Sequence, residues 1–226
     1  MPMIDLHPTA DNLGSLISSV SDGDLGLPTP CSEYTVGDLL DHIAGATIAF
    51  GGAAAKAGGA SADMGPQGDA GNLEPDRRAT LPLRVKTVAE AWRDPGAWEG
   101  TTRVGGQDLP GAVAGIITFG ELTVHGWDLA KATGLRFEPD PAGLNALFEL
   151  ASQSRGPGDD GPRGTAFGPV VAVPEDAPVL DPRTARPGPG LVASRKLSGE
   201  GGQVGGVVVA VEHPVARSGR LTPLRK

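Results

Sequence analysis

Apolar residues return at helical spacing in several stretches of this chain, and polar or glycine-rich runs separate them. Within residues 8–20, Leu13, Leu16, Ile17 and Val20 share one face and predict a first helix. Residues 24–32, with two prolines, read as a loop. Thr35 then opens a second helix reaching about residue 57. Thr35 and Asp38 form a capping box with Asp in the acidic place, and Val36, Leu39, Leu40, Ile43 and Thr47 make the stripe. Residues 58–74 are a glycine-rich loop. A third helix is expected from Pro75 to about Asp94, with Leu81, Val85, Val88 and Trp92 on its apolar face; Pro82 argues for a start nearer Leu81. Residues 98–108 read as a connector that can hold a short extended piece. The longest helix is predicted over Leu109–Thr133, with Pro110 in its first turn, Gly134 as its stop, and Val113, Ile116, Ile117, Val124 and Trp127 as its stripe. A shorter helix follows from Pro141 to about Ser154.

Beyond Arg155 the periodicity ends. Residues 156–164 read as a loop, 181–206 are rich in Gly, Pro and Arg, and Val207–Val211 is a short strand-like run without an evident partner. The expected organisation is a helix bundle over 8–155, a connecting segment over 156–181 packed on or near it, and a disordered low-complexity tail over 182–226. Composition fits one globular domain with a tail: 39% of residues are hydrophobic, while Gly (35) and Pro (21) exceed ordinary usage. A net charge of −8 disfavours nucleic acid as a partner. No apolar run is long enough to span a membrane, and Met1–Asp11 lacks the order of a secretory signal. Cys31 stands alone, which excludes a disulfide framework and a cysteine-based zinc site. These features predict a cytoplasmic protein.

The chemistry concentrates on the second helix and the longest one. Glu121 and His125 are four residues apart, so both project from one helix face, and Asp128 lies one turn on. His42 sits at the edge of the other stripe. Two imidazoles and one carboxylate suit a divalent transition metal with an open coordination position, where chemistry is possible. Taken alone, Glu121 and His125 also fit a helix-surface ion pair, His42 a histidine bonded to a carbonyl, and Asp128 a solvated acid. Placement beside two apolar stripes, where bundle helices face each other, favours a site; Asp128 would then orient a ligand histidine. His7 and His213 carry no assigned role. Trp92 and Trp127 read as core, Cys31 as an inert thiol, and the 58–74 loop lacks the Gly-Lys-Ser/Thr ending of a phosphate cradle. No catalytic side chain and no cofactor-binding residue beyond these ligands is readable.

These residues also carry a resemblance. Thr29-Pro30-Cys31-Ser32-Glu33-Tyr34-Thr35-Val36-Gly37-Asp38-Leu39-Leu40-Asp41-His42 resembles the opening of the mycothiol-dependent maleylpyruvate isomerase metal-binding domain. Gly120-Glu121-Leu122-Thr123-Val124-His125-Gly126-Trp127-Asp128-Leu129-Ala130 resembles that family's second motif. Ala166-Phe167-Gly168-Pro169 and Val173-Pro174 resemble the end of its small stand-alone members. The likeness spans roughly residues 8–180. It implies an all-α, DinB-like four-helix bundle. It implies a metal, zinc before others, held by His42, Glu121 and His125, and kinship with enzymes that use mycothiol. Tyr34 departs from the family's usual Trp, and Ser32-Glu33 from its frequent Pro-Gly. The isomerase's C-terminal domain is not recognisable, and Asp181–Pro187 opens an out-of-frame or otherwise atypical extension in place of a Leu-rich helix.

Two functions follow from this reading. One is a mycothiol-dependent isomerase or S-transferase-like enzyme, with a small-molecule thiol and an electrophilic substrate as partners and a metal-activated thiolate or water as nucleophile. The other is a non-catalytic module in which the metal is structural. Substrate, metal identity and oligomeric state are not legible.

Overall fold

The computed structural model describes residues 3–31, 34–63, 65, 67–152, 170–172 and 207–209. Helix α1 (His7–Ser19) buries Leu13, Leu16 and Ile17, and α2 (Val36–Ala54) buries Val36, Leu39, Leu40 and Ile43. The predicted capping box opens α2. Thr35 Oγ1 accepts the Asp38 amide at 3.3 Å, and Asp38 Oδ2 accepts the Thr35 amide at 2.9 Å. The glycine-rich loop is more structured than expected, with a one-turn helix α3 (Ala60–Asp63) and a 3₁₀ turn at Ala70–Asn72. That turn is tied to α2, because Asp38 Oδ1 accepts the Ala70 amide (2.9 Å) and Asp41 Oδ2 accepts the Asp69 amide (3.0 Å).

Helix α4 (Arg77–Ala91) falls within the expected Pro75–Asp94 span and carries Pro82 inside it, so the later start nearer Leu81 that the proline suggested does not occur. Proline cannot donate to the carbonyl four residues back, that of Arg78. The Ser18 hydroxyl shares its proton between the Gly14 carbonyl (3.0 Å) and this one (3.2 Å), and Arg78 Nε donates to the Ser18 carbonyl. Gly14 faces the proline ring, and a Cβ there would lie 3.3 Å from Pro82 Cβ. A close α1–α4 contact thus replaces what the proline removes.

The 98–108 connector is a β-hairpin rather than a plain linker. A one-turn helix α5 (Pro95–Trp98) leads into β1 (Thr101–Val104), which pairs antiparallel with β2 (Gln107–Pro110) through Gly105-Gly106. Both glycines have positive φ, 58° and 77°, as a two-residue turn of the twist-matched kind requires. The strand takes Leu109 and Pro110, so α6 runs Gly111–Thr133, with Gly134 in the left-handed conformation at its end (φ 71°). Thr102 Oγ1 donates to the Ala53 carbonyl at 2.7 Å and fixes the hairpin on the last turn of α2. Trp92 donates to the Phe50 carbonyl (3.2 Å) and Trp98 to the Trp92 carbonyl (2.7 Å), closing this end of the core.

Helices α1, α2, α4 and α6 form the four-helix bundle. Its interior is one cluster of buried residues drawn from all four helices, and α7 (Pro141–Ser152) packs on the outer face of α6. Leu147 of α7 lies against Gly120, where a Cβ would come within 3.1 Å. Strand β3 (Val170–Ala172) pairs antiparallel with β4 (Val207–Val209), so the valine run has a partner that its sequence does not disclose. The Ala166–Pro169 and Val173–Pro174 motif, His213, and the rest of the expected connector and tail lie outside the described residues. Among the described residues no helix is long and apolar enough to cross a membrane.

Candidate metal centre

The capping box starts α2 at Val36 and so sets His42 on the second turn's inward face. On α6 the four-residue spacing sets Glu121 and His125 opposite it. The imidazoles are fully buried, with His42 2% and His125 0% exposed. Glu121 Oε2 lies 3.6 Å from His42 Nε2 and 3.2 Å from His125 Nε2, and one donor atom from each residue falls within 4.8 Å of the other two. Donors bound at about 2.0–2.1 Å with tetrahedral angles stand about 3.3 Å apart. The spacing and the chemistry of the set, two imidazole nitrogens and a carboxylate oxygen, therefore fit a tetrahedral divalent ion with one position left over. The two histidine rings meet edge to face, with centroids 4.6 Å apart.

Asp128 is also buried, 3% exposed, and its Oδ2 lies 3.6 Å from His125 Nδ1. That distance carries charge attraction and is slightly long for a hydrogen bond. A carboxylate on the Nδ1 side favours a proton there and turns the Nε2 lone pair toward Glu121 and His42. In the metal-free chain burial opposes charge on His125, but Asp128 and Glu121 outweigh it and raise the imidazole from its ordinary 6.5 to about 9. A cation at this place would take over the role of that proton.

The surroundings differ on the two sides. Toward the bundle interior, Ile43, Phe50, Val88 and Leu122 line a cavity of about 10 Å³ that reaches Glu121 and His125. It has room for one water at most, and its apolar wall favours leaving it dry. Toward the exterior, the Glu121 side chain retains 15% exposure. Tyr34 stands beside His42 on this side, with ring centroids 5.5 Å apart. Burial raises the Tyr34 phenol above its ordinary value, with nearby Cys31, Asp38 and Glu121 adding to the rise against a Gly68 backbone hydrogen bond.

All four sequence-predicted residues, His42, Glu121, His125 and Asp128, come together in space. Trp92 and Trp127 are core, as expected, at 1% and 7% exposure. His7 opens α1 and bridges Asp5 and Glu90 on the surface, away from the cluster. Tyr34 is the neighbour that sequence reasoning did not place. It precedes α2, so helical periodicity is silent about it, and its contact with the 67–72 segment is made only by folding.

The sequence profile of the Mycothiol maleylpyruvate isomerase N-terminal domain matches residues 6–130. Uncharacterised proteins from two strains of Mycobacterium tuberculosis are each 31% identical over 182 residues, covering 80% of this chain and 93% of theirs. Among solved structures, the crystal structure of the mycothiol-dependent maleylpyruvate isomerase and that of a point mutant align with a TM-score of 0.42 and 16% identity, over 66% of this chain and 67% of theirs.

Proposed function

The chain belongs to the mycothiol maleylpyruvate isomerase N-terminal domain family, and from that premise we propose that it is a divalent-metal protein acting as a mycothiol-dependent isomerase or S-transferase-like enzyme. The observation that carries this reading is the buried convergence of two imidazole nitrogens and one carboxylate oxygen. His42, Glu121 and His125 would hold the ion, with zinc the best match to the donor set. When bound, a divalent cation lowers the pKa of a coordinated thiol or water and supplies a nucleophile at neutral pH. Asp128 orients His125 through Nδ1, and Glu121 offsets part of the cation's charge. The apolar wall of Ile43, Phe50, Val88 and Leu122 excludes water behind the site and keeps its interactions strong. The substrate class this arrangement suits is a small electrophile that accepts a thiol sulfur, approaching from the Glu121 and Tyr34 side.

Metal content of the purified protein and of His125→Ala, read by plasma mass spectrometry, tests the site. One metal per chain, lost in the variant, is expected; no metal in either protein after zinc reconstitution overturns the reading. A structural ion is the second reading, favoured by the small inner cavity and by ligands that tie α2 to α6. Metal-dependent consumption of mycothiol with electrophiles such as maleylpyruvate separates the two, because a purely structural ion predicts none.

A further inference from the structure

His7, which the metal centre does not use, opens α1 with a carboxylate at each of its ring nitrogens. Nδ1 lies 3.1 Å from Asp5 Oδ1, on the arm (residues 3–6) that leads into α1. Nε2 lies 3.1 Å from Glu90 Oε2, in the last turn of α4. The His7 amide also donates to Asp5 Oδ1, at 3.0 Å. We propose that His7 is a proton-operated clasp that fastens this arm to α4, closed as the imidazolium and open as the neutral ring.

The geometry defines the closed state. An ionised carboxylate only accepts, and a neutral imidazole has one N–H and one lone pair. A neutral ring here would donate to one acid and turn its lone pair on the other at 3.1 Å. Only the imidazolium donates to both, and such charge-assisted hydrogen bonds are the stronger kind. Asp5 remains an acceptor, because the His7 amide, with the His7 ring and Arg93, outweighs burial and holds its carboxyl below the ordinary aspartate value. His7 stands in the first turn of α1, where the helix dipole disfavours a cation, so the charge on the ring depends on its acidic neighbours. Asp11, one turn further along α1, adds to Asp5 and Glu90.

The open state has a contact of its own. Arg93 Nη1 lies 3.5 Å from the same Glu90 oxygen that faces His7. When the ring loses its proton, Glu90 is left to Arg93 and the arm loses its polar tie to α4. One proton thus moves one carboxylate between two partners. Ile4 and Leu6, on either side of Asp5, are buried in the core, so apolar packing keeps the arm close and the proton sets how firmly it is held. The clasp's contribution is present where the ring is charged and is lost as pH rises.

Amide hydrogen exchange of the full chain, corrected for intrinsic rates, reads the arm directly. Protection of the His7 and Ala10 amides, bonded to Asp5 and to the Leu6 carbonyl, should fall about two- to fivefold between about pH 5.5 and about pH 8.5, as befits an exposed ion pair. His7→Gln, polar but without a titrating ring, should abolish the fall, and the comparison cancels the titration of His42 and His125. Glu90→Gln should diminish it. Arg93→Met should move the loss to higher pH, because Glu90 then has no second cation. Ring ¹⁵N shifts should report both His7 nitrogens protonated at the acidic end. None of these outcomes depends on bound metal. Protection indifferent to pH, an undiminished fall in His7→Gln or in Glu90→Gln, a loss that stays at the same pH in Arg93→Met, or a neutral His7 ring at about pH 5.5 would overturn the proposal.

Discussion

At the scale of single residues, the proposed metal reading makes the pairing of His125 with Asp128 the control on how firmly an ion would be held. Removing the Asp128 charge with Asp128→Asn leaves the ligands intact but loosens the orientation of the imidazole. We expect metal affinity to fall about 10–100-fold in competition with a chromophoric chelator; an unchanged affinity would demote Asp128 to a bystander. Gly115 poses a different residue-scale question. A Cβ there would sit 2.6 Å from Trp98 Cζ3, in a core already closed by the Trp92 and Trp98 rings. Gly115→Ala should cost about 1–3 kcal/mol through overpacking, measured by urea denaturation. His42, Glu121, His125 and Asp128 were legible in the sequence because ligand chemistry restricts residue type and helical periodicity restricts position. Tyr34 and Gly68 were not, because they meet through a loop whose path no local pattern describes.

At the scale of elements, the start of α2 matters most, since it sets where His42 points. Asp38 receives hydrogen bonds from Thr35 and from the Ala70 amide, so one carboxylate both begins the helix and anchors the neighbouring turn. Burial would raise its pKa, but the Thr35 and Ala70 hydrogen bonds outweigh that and hold it below the ordinary aspartate value. A depressed folded-state pKa contributes stability that is present above the unfolded value and lost as pH falls through the folded one. Urea midpoints measured between neutral pH and pH 3 should therefore fall less steeply for Asp38→Asn than for the unaltered chain below about pH 4. Identical slopes would show that the carboxylate is not linked to folding. Helices α2 and α6 could be anticipated from caps and stripes. That α4 continues through Pro82 could not, because the partner of the freed Arg78 carbonyl, Ser18, comes from another helix. The hairpin had a local sign in Gly105-Gly106, but its strands are four residues each and too short for alternation to stand out.

At the scale of the whole molecule, the proposed metal ligands lie on α2 and α6, so an ion held by them would link occupancy to stability. Metal at a hundred times its dissociation constant would stabilise the folded state by about 2.7 kcal/mol, or about 5–10 °C in Tm for a chain of this size. Chelation should lower Tm by that amount while far-UV circular dichroism at room temperature stays helical. A Tm indifferent to chelator and to added zinc would show that no ion bridges the helices. The sequence by itself determined the helical character, the four bundle helices, the inward faces and the residue types of the candidate site, because these depend on spacing within one element and on the chemistry of single side chains. Only the tertiary structure decided that His42 comes within 3.6 Å of Glu121, that Ser18 tolerates a proline inside α4, that β4 pairs with β3, and that Glu90 reaches His7. Each of these joins residues far apart along the chain. Their meeting depends on how helices pack and loops close, and one element's periodicity carries no information about its partner.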